Sequence, residues 1–289
     1  MLRGVDHVVV AVRDLEAACA LYRSLGFTIT PTAYHPFGTK NALVQLDGAF
    51  IELLSVHDES LMPEATEGDF SFARFNQTFL EDREGASMLV LRSDNVDRDL
   101  AIFQALNLET YPQFDFEREA VQPDGSTKTV SFSNGFLHNA LMDNTGFFIC
   151  HHKHEPEHFW KPDYQQHANG AQRLCSVVFS ADNPSDHHEF LGGFSGQREM
   201  RSTSAGVVVD TGHGVLEVLT PLAAKTFYGL DLPLSLAQDG GIAALIICLD
   251  LARAKAALDA AKIPYFDYAG HLVVQPDALC GCGLLLRQA

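Results

Sequence analysis

The sequence predicts an α+β fold of four βαβββ modules, paired into two domains. Three observations point there: one strand–helix–strands order of signals occurs four times, the module starts fall roughly 70 to 90 residues apart, and the helical stretches are short and amphipathic. A single module has one apolar sheet face that it cannot bury alone, so modules must pair.

The first module opens with Gly4-Val5-Asp6-His7-Val8-Val9-Val10-Ala11-Val12, rich in β-branched residues and of strand length. Asp14 then caps a helix with an apolar stripe at Leu15, Ala18, Leu21, Tyr22 and Leu25, and Gly26 closes it. Phe27–Thr30, Asn41–Leu46 and Ala49–Val56 read as strands, the last two joined by a tight turn at Asp47-Gly48. In the second module the strand is Ser87–Leu91, the helix opens at Asn95, and Val130–Phe132 and Phe147–Cys150 are later strands. The third begins at Leu174–Phe179, with a helix start at Asn183-Pro184 and strands at Gly206–Val209 and Gly214–Leu219. The fourth has Ile242–Leu249, an Asp250-capped helix and a closing strand at Gly283–Leu286.

This order gives an N-terminal domain over residues 1–157, a linker over 158–172 marked by Pro162, Asn169 and Gly170, and a C-terminal domain over 173–289. Two long polar insertions, Asp58–Arg83 and Glu109–Ser126, read either as lids over a pocket or as solvated loops.

Composition removes several classes of function. The 289 residues are 46% hydrophobic and 20% charged, which suits a globular chain. Lys and Arg total 20 against 37 Asp and Glu, and the net charge of -17 would repel nucleic acid and an anionic membrane surface. No apolar run is long enough to span a membrane and no signal peptide is visible at the start, so a cytoplasmic location is expected. The 6 Cys have no regular spacing and are expected as reduced thiols, with Cys280 and Cys282 on a core strand.

Two polar residues stand out because each lies inside an apolar strand. His7 shares a face with Val9 and Ala11, and Glu52 shares one with Phe50 and Leu54. A carboxylate facing an apolar interior needs a cation or hydrogen-bond donors. Either the two side chains bond to each other and organise a core, or both bind a divalent metal. His35, near Pro36 and Gly38, is a loop imidazole suited to general acid–base work, or one fixed by a local hydrogen bond. Asn41 and Gln45 share a face and can contact a polar substrate. The run His151 to His158 holds four of the 13 His and reads as a polar strand end leading to the surface, or as an adventitious metal binder.

The opening Asp6–Glu16, with Tyr22-Arg23-Ser24-Leu25-Gly26-Phe27, resembles the first strand and helix of the vicinal oxygen chelate superfamily, which contains glyoxalase I, extradiol dioxygenases and bleomycin-resistance proteins. His35–Asn41 followed by Phe50-Ile51-Glu52-Leu53 resembles its glyoxalase-like members. The resemblance is specific over residues 4–56 and weaker in the second module, where Leu91–Val96 and Pro123-Asp124-Gly125 carry it; the C-terminal half rests on the repeat order. It implies two cups, and it places His7 and Glu52 at the metal-ligand positions of the first. The second module departs from the pattern, with Met88 aligned to His7 and Cys150 to Glu52, so His152 becomes the replacement ligand. In the C-terminal half, Ser176 and Ala243 align with His7, and Glu217 and Leu285 with Glu52, which leaves one possible ligand.

The function implied is a metal-dependent lyase or isomerase that chelates a small oxygen-bearing substrate through a divalent ion (zinc, manganese, nickel or iron). His7, Glu52 and His152 would be the ligands, and His35 and Glu52 the catalytic groups. The alternatives are a metal-free small-molecule binding protein of bleomycin-resistance type and a ring-cleaving dioxygenase. The expected partner is a small-molecule substrate, with a homodimer left open.

Overall fold

The computed structural model describes residues 2–64 and 68–289. The first module comprises β1 (Val5–Ala11), α1 (Leu15–Ser24), β2 (Ala33–Tyr34), β3 (Thr39–Gln45) and β4 (Phe50–Val56), followed by α2 (Phe72–Asp82). The second comprises β5 (Gly85–Arg92), α3 (Val96–Ala105), β6 (Glu109–Thr110), β7 (Phe114–Val121), β8 (Thr127–His138) and β9 (Gly146–His152), followed by α4 (Pro156–Phe159). The third contains β10 (Arg173–Ser180), α5 (His188–Ser195), β11 (Arg201–Thr203), β12 (Gly206–Asp210) and β13 (Val215–Leu219), followed by α6 (Pro221–Tyr228) and α7 (Leu234–Asp239). The fourth contains β14 (Gly241–Leu249), α8 (Leu251–Ala261), β15 (Phe266–Tyr268), β16 (His271–Val274) and β17 (Gly283–Gln288). The predicted caps are in place: Asp14 accepts from the Ala17 amide, Asn95 from Arg98 and Asp250 from Ala252 and Arg253.

Modules pair in sequence order. The first sheet runs β2-β3-β4-β1-β5-β9-β8-β6, with β7 laid beside β8, and the second runs β11-β12-β13-β10-β14-β17-β16-β15. In each, the first strands of two modules meet antiparallel at the centre, β1 on β5 and β10 on β14. Strand alternation then sorts the apolar residues into layers. Val8, Val10, Leu89, Leu91, Val177, Phe179, Leu245 and Ile247 join the buried faces of α1, α3, α5 and α8 in one core shared by both sheets. Phe147 of the first sheet packs against Phe179 of the second at 6.2 Å and Phe190 of α5 at 4.8 Å. The buried Arg3–Asp99 pair, 3.0 Å, adds a polar tie, since Arg3 also donates to the Phe194 carbonyl at 3.1 Å. The opposite face of each sheet forms its own smaller cluster.

Several expectations are corrected. Phe27–Thr30 is not a strand, because Thr28 bonds through its amide to His167 and through its hydroxyl to the Gln166 carbonyl. Of the two readings of the insertions, that of solvated loops fails and that of cover over a pocket holds: α2 buries Phe72, Ala73, Asn76 and Phe79, β7 pairs along its whole length with β8, and both contribute to the cavity lining. Residues 65–67 of the first insertion lie outside the described residues. The stretch expected as a linker packs on the first sheet, with His167 bonded to the Gln45 carbonyl and Asn169 to the Leu25 carbonyl. Cys175 and Cys248, on adjacent strands with Cα atoms 6.2 Å apart, form a disulfide, so not all cysteines are reduced. Cys280 and Cys282 sit in a turn rather than on a strand, Cys280 with a positive φ of 47°.

Candidate functional site

The concave face of the first sheet carries the polar cluster. His7 pairs with Val90 and Val5 with Leu91, so two steps on β1 match one on β5 and Asp6 is the extra residue of a β-bulge. The bulge lets neighbouring residues act together. Asp6, 1% exposed, places Oδ2 at 2.7 Å from His7 Nδ1 and 3.2 Å from His152 Nε2. The other ring nitrogen, His7 Nε2, stands 3.4 Å from Glu52 Oε2 on β4. Asn41 Nδ2 donates to Glu52 Oε1 at 2.5 Å. The His7 ring stacks on Phe50, with centroids 4.2 Å apart, and meets Phe148 edge-on.

The electrostatics follow from this chain of contacts. Burial opposes ionisation of Asp6, but His152 and His7 outweigh it and hold the carboxyl well below its usual range. Burial likewise works against a charged His7, but hydrogen bonds to Asp6 and Glu52 raise it to about 8. Burial would raise Glu52; the hydrogen bond and charge of His7, with the Asn41 hydrogen bond, bring it below its ordinary value. At neutral pH His7 is therefore an imidazolium between two carboxylates.

Two elements close the cup. One is α2, through Phe72; the other is β7, whose alternation turns Phe114, Phe116, Arg118 and Ala120 toward the cup and the intervening charged residues outward. His35 lies in the turn between β2 and β3, 6% exposed, with Nδ1 2.8 Å from Thr39 Oγ1 and Nε2 4.0 Å from Glu52 Oε1. Burial drives it down to about 3, so it stays neutral at physiological pH. Together these groups leave a cavity of ≈ 40 Å³, lined among others by His7, His35, Asn41, Glu52, Arg118 and Asn134. That is room for about three waters.

Of the residues the sequence singled out, His7, His35, Asn41 and Glu52 meet at this cavity. His152 does not turn to Glu52; it reaches the cluster through Asp6. Gln45 serves structure, bonding the backbone of Phe159 and Lys161. Sequence reasoning missed Asp6, Arg118 and Asn134. Alternation along Phe114-Asp115-Phe116-Glu117-Arg118 was a legible strand signal for Arg118, whereas a bulge leaves no such trace for Asp6.

Register also corrects the alignment of modules. His7 sits opposite Phe50 and Val9 opposite Glu52, while Met88 sits opposite Gly146 and Val90 opposite Phe148. Phe148, not Cys150, is therefore the counterpart of Glu52. By the same rule Ala244 rather than Ala243 stands for His7 in the fourth module. The second cup is plugged by Ala223, Ala224 and Leu230, and its Glu217 accepts from the Tyr228 hydroxyl at 2.7 Å.

Superfamily members typically use a divalent metal, held through these paired positions. Here two of the four positions carry a thioether and a phenyl ring, and the remaining His7 and Glu52 are engaged with Asp6, Asn41 and each other. The donor set does not fit an ion held in that manner. One three-donor group does converge among the described residues: ligand atoms of Asp6, Cys150 and His152 all lie within 4.8 Å of one another.

The family profile described as a glyoxalase-like domain matches residues 5–193. No curated protein sequence matches the chain. Among solved structures, a hypothetical protein from Staphylococcus aureus superposes with a TM-score of 0.72 at 12% identity, covering 100% of each chain. A mutant of 4-hydroxymandelate synthase from Streptomyces coelicolor gives 0.59 at 10% identity, covering 99% of this chain and 93% of that one. At these identities the likenesses speak for the fold. No helix among the described residues is long and apolar enough to cross a membrane. The repeated modules, the concave polar cluster and the profile match agree: the chain belongs to the glyoxalase-like domain family of the vicinal oxygen chelate superfamily.

Proposed function

We propose that the N-terminal cup is the active site of a lyase or isomerase that moves a proton on a small oxygen-bearing substrate, with Glu52 as base and His7 as the group that stabilises the oxyanion. The observation that carries this reading is the buried Asp6–His7–Glu52 chain, with spacings of 2.7 and 3.4 Å, facing an aromatic cavity. Glu52 is ionised and can take a proton from carbon next to a carbonyl. The C–H electron pair moves onto the carbonyl oxygen, where the Nε2–H of His7 donates to the developing negative charge. Asp6 keeps the imidazolium protonated and oriented, as a carboxylate does behind a catalytic imidazole. Return of the proton to the neighbouring atom gives an isomer, and expulsion of a β-substituent gives lyase chemistry. His35, neutral and near Glu52, supports the base without carrying charge.

The test is solvent-deuterium incorporation into hydroxyacetone and phenylpyruvate, followed by proton NMR. Wild type should catalyse exchange and Glu52→Gln should be slower by about 10²–10⁴-fold. Equal rates in the two proteins refute the reading and leave a binding protein of bleomycin-resistance type, which the aromatic cup would suit.

A second reading has its own observation, the convergence of Asp6, Cys150 and His152. A carboxylate, a thiol and an imidazole suit a borderline ion such as zinc. Stoichiometric zinc in the untagged protein, lost in Cys150→Ala, would favour it.

A further inference from the structure

The cup contains a cation that no carboxylate among the described residues neutralises at contact distance. Arg118 projects from β7 into the cavity, yet among the described residues no carboxylate reaches ion-pair distance of its guanidinium. Its guanidinium donates to the Glu119 carbonyl at 3.1 Å and lies 5.8 Å from the Phe132 ring, and among the described residues its Nε has no partner. Glu52 is within electrostatic range but is bound to His7 and Asn41. Arg118 is half-buried, and a guanidinium partly withdrawn from water is stabilised when an anion meets it. Two acceptors line the same cavity without donors: Asn41 Oδ1 and Asn134 Oδ1, on residues 3% and 5% exposed. Among the described residues, a cation without a paired anion and two acceptors without donors in an apolar hollow suit a ligand with an anionic end and a hydroxyl.

We infer that Arg118 is the specificity residue of the cup and that the ligand it takes is a small hydroxycarboxylate. The carboxylate pairs with the Arg118 guanidinium, a fork suited to two parallel hydrogen bonds. The hydroxyl donates to Asn41 or Asn134, and the remainder lies among Phe37, Phe116 and Phe132. Because ≈ 40 Å³ is too small for such a molecule, the side chains that line the cavity must shift to admit it. This rests on the cup being the active site, as proposed above, and adds the class of substrate.

Calorimetric titration of the full chain with phenyllactate, phenyllactamide and hydrocinnamate tests it. Phenyllactate should bind about tenfold or more tightly than the amide, which lacks the charge, and than hydrocinnamate, which lacks the hydroxyl. Arg118→Met should abolish the preference for acid over amide, and Arg118→Lys should keep part of it, which guards against a variant that misfolds. Equal binding of acid and amide by wild type, undetectable binding of phenyllactate, or discrimination that survives in Arg118→Met each overturn the inference. Glu52→Gln separates this from the proton-transfer reading. If it and wild type bind with the same discrimination while neither exchanges deuterium, the chemistry fails and the substrate class stands; exchange without discrimination shows the reverse.

Discussion

Raising the pH should remove a defined part of the stability, and His7 is where it goes. The imidazole is buried between Asp6 and Glu52, and its value rises from 6.5 to about 8. A group raised on folding contributes fully below its unfolded value and loses that contribution as pH climbs through the folded one. From 6.5 to about 8, at about 1.4 kcal/mol per pH unit, the contribution is about 2 kcal/mol, present below about pH 6.5 and gone above about pH 8. For a chain of this size that corresponds to roughly 3 °C in the melting midpoint. The assay is the midpoint from about pH 6 to about pH 9 for wild type and His7→Gln, because subtracting the variant removes what other titrating groups add. Wild type should lose its advantage as the pH rises. Parallel profiles, or an advantage that grows with pH, would refute the assignment of an imidazolium between two carboxylates.

Other expectations follow from neighbouring features. Asp99→Ala leaves the Arg3 guanidinium buried without its carboxylate and should cost about 3–5 kcal/mol in denaturant unfolding; a loss below about 1 kcal/mol would show that the pair is not what ties α3 to α5. The double variant Met88→His, Phe148→Glu restores donors at the two second-module positions equivalent to His7 and Glu52. It should bind about one zinc per chain in equilibrium dialysis, and no gain over wild type would mean that those positions are not what the cup lacks. Phe147→Ala opens the core between the two sheets and should cost about 3–5 kcal/mol, seen as a lower denaturant midpoint; an unchanged midpoint would mean that the ring carries no load there.

Much of the fold was legible because it is written in local periodicity. Alternation and four-residue spacing located the opening strands, the capped helices and the four modules, and they identified His7 and Glu52 as polar residues on apolar strand faces. The same signals failed where a nonlocal contact decided the outcome. Phe27–Thr30 has strand composition but is held by Gln166 and His167. Cys150 aligns with Glu52 by eye, yet the ladder between β5 and β9 puts Phe148 there. His152 shares the strand of Cys150, but its ring turns to a carboxylate displaced by a bulge some 146 positions earlier in the chain.

By itself, then, the sequence determined the modular architecture, the faces that carry apolar and polar groups, and the pairing of an imidazole with an acid in the first cup. Only the tertiary structure decided that Asp6 joins them, that Arg118 closes over them from β7, and that the second cup is filled by α6 and the residues just after it. The physical reason is that side-chain periodicity is a property of a single element, whereas register, bulges and the closing of one hairpin over a sheet are set by contacts between elements distant in the chain.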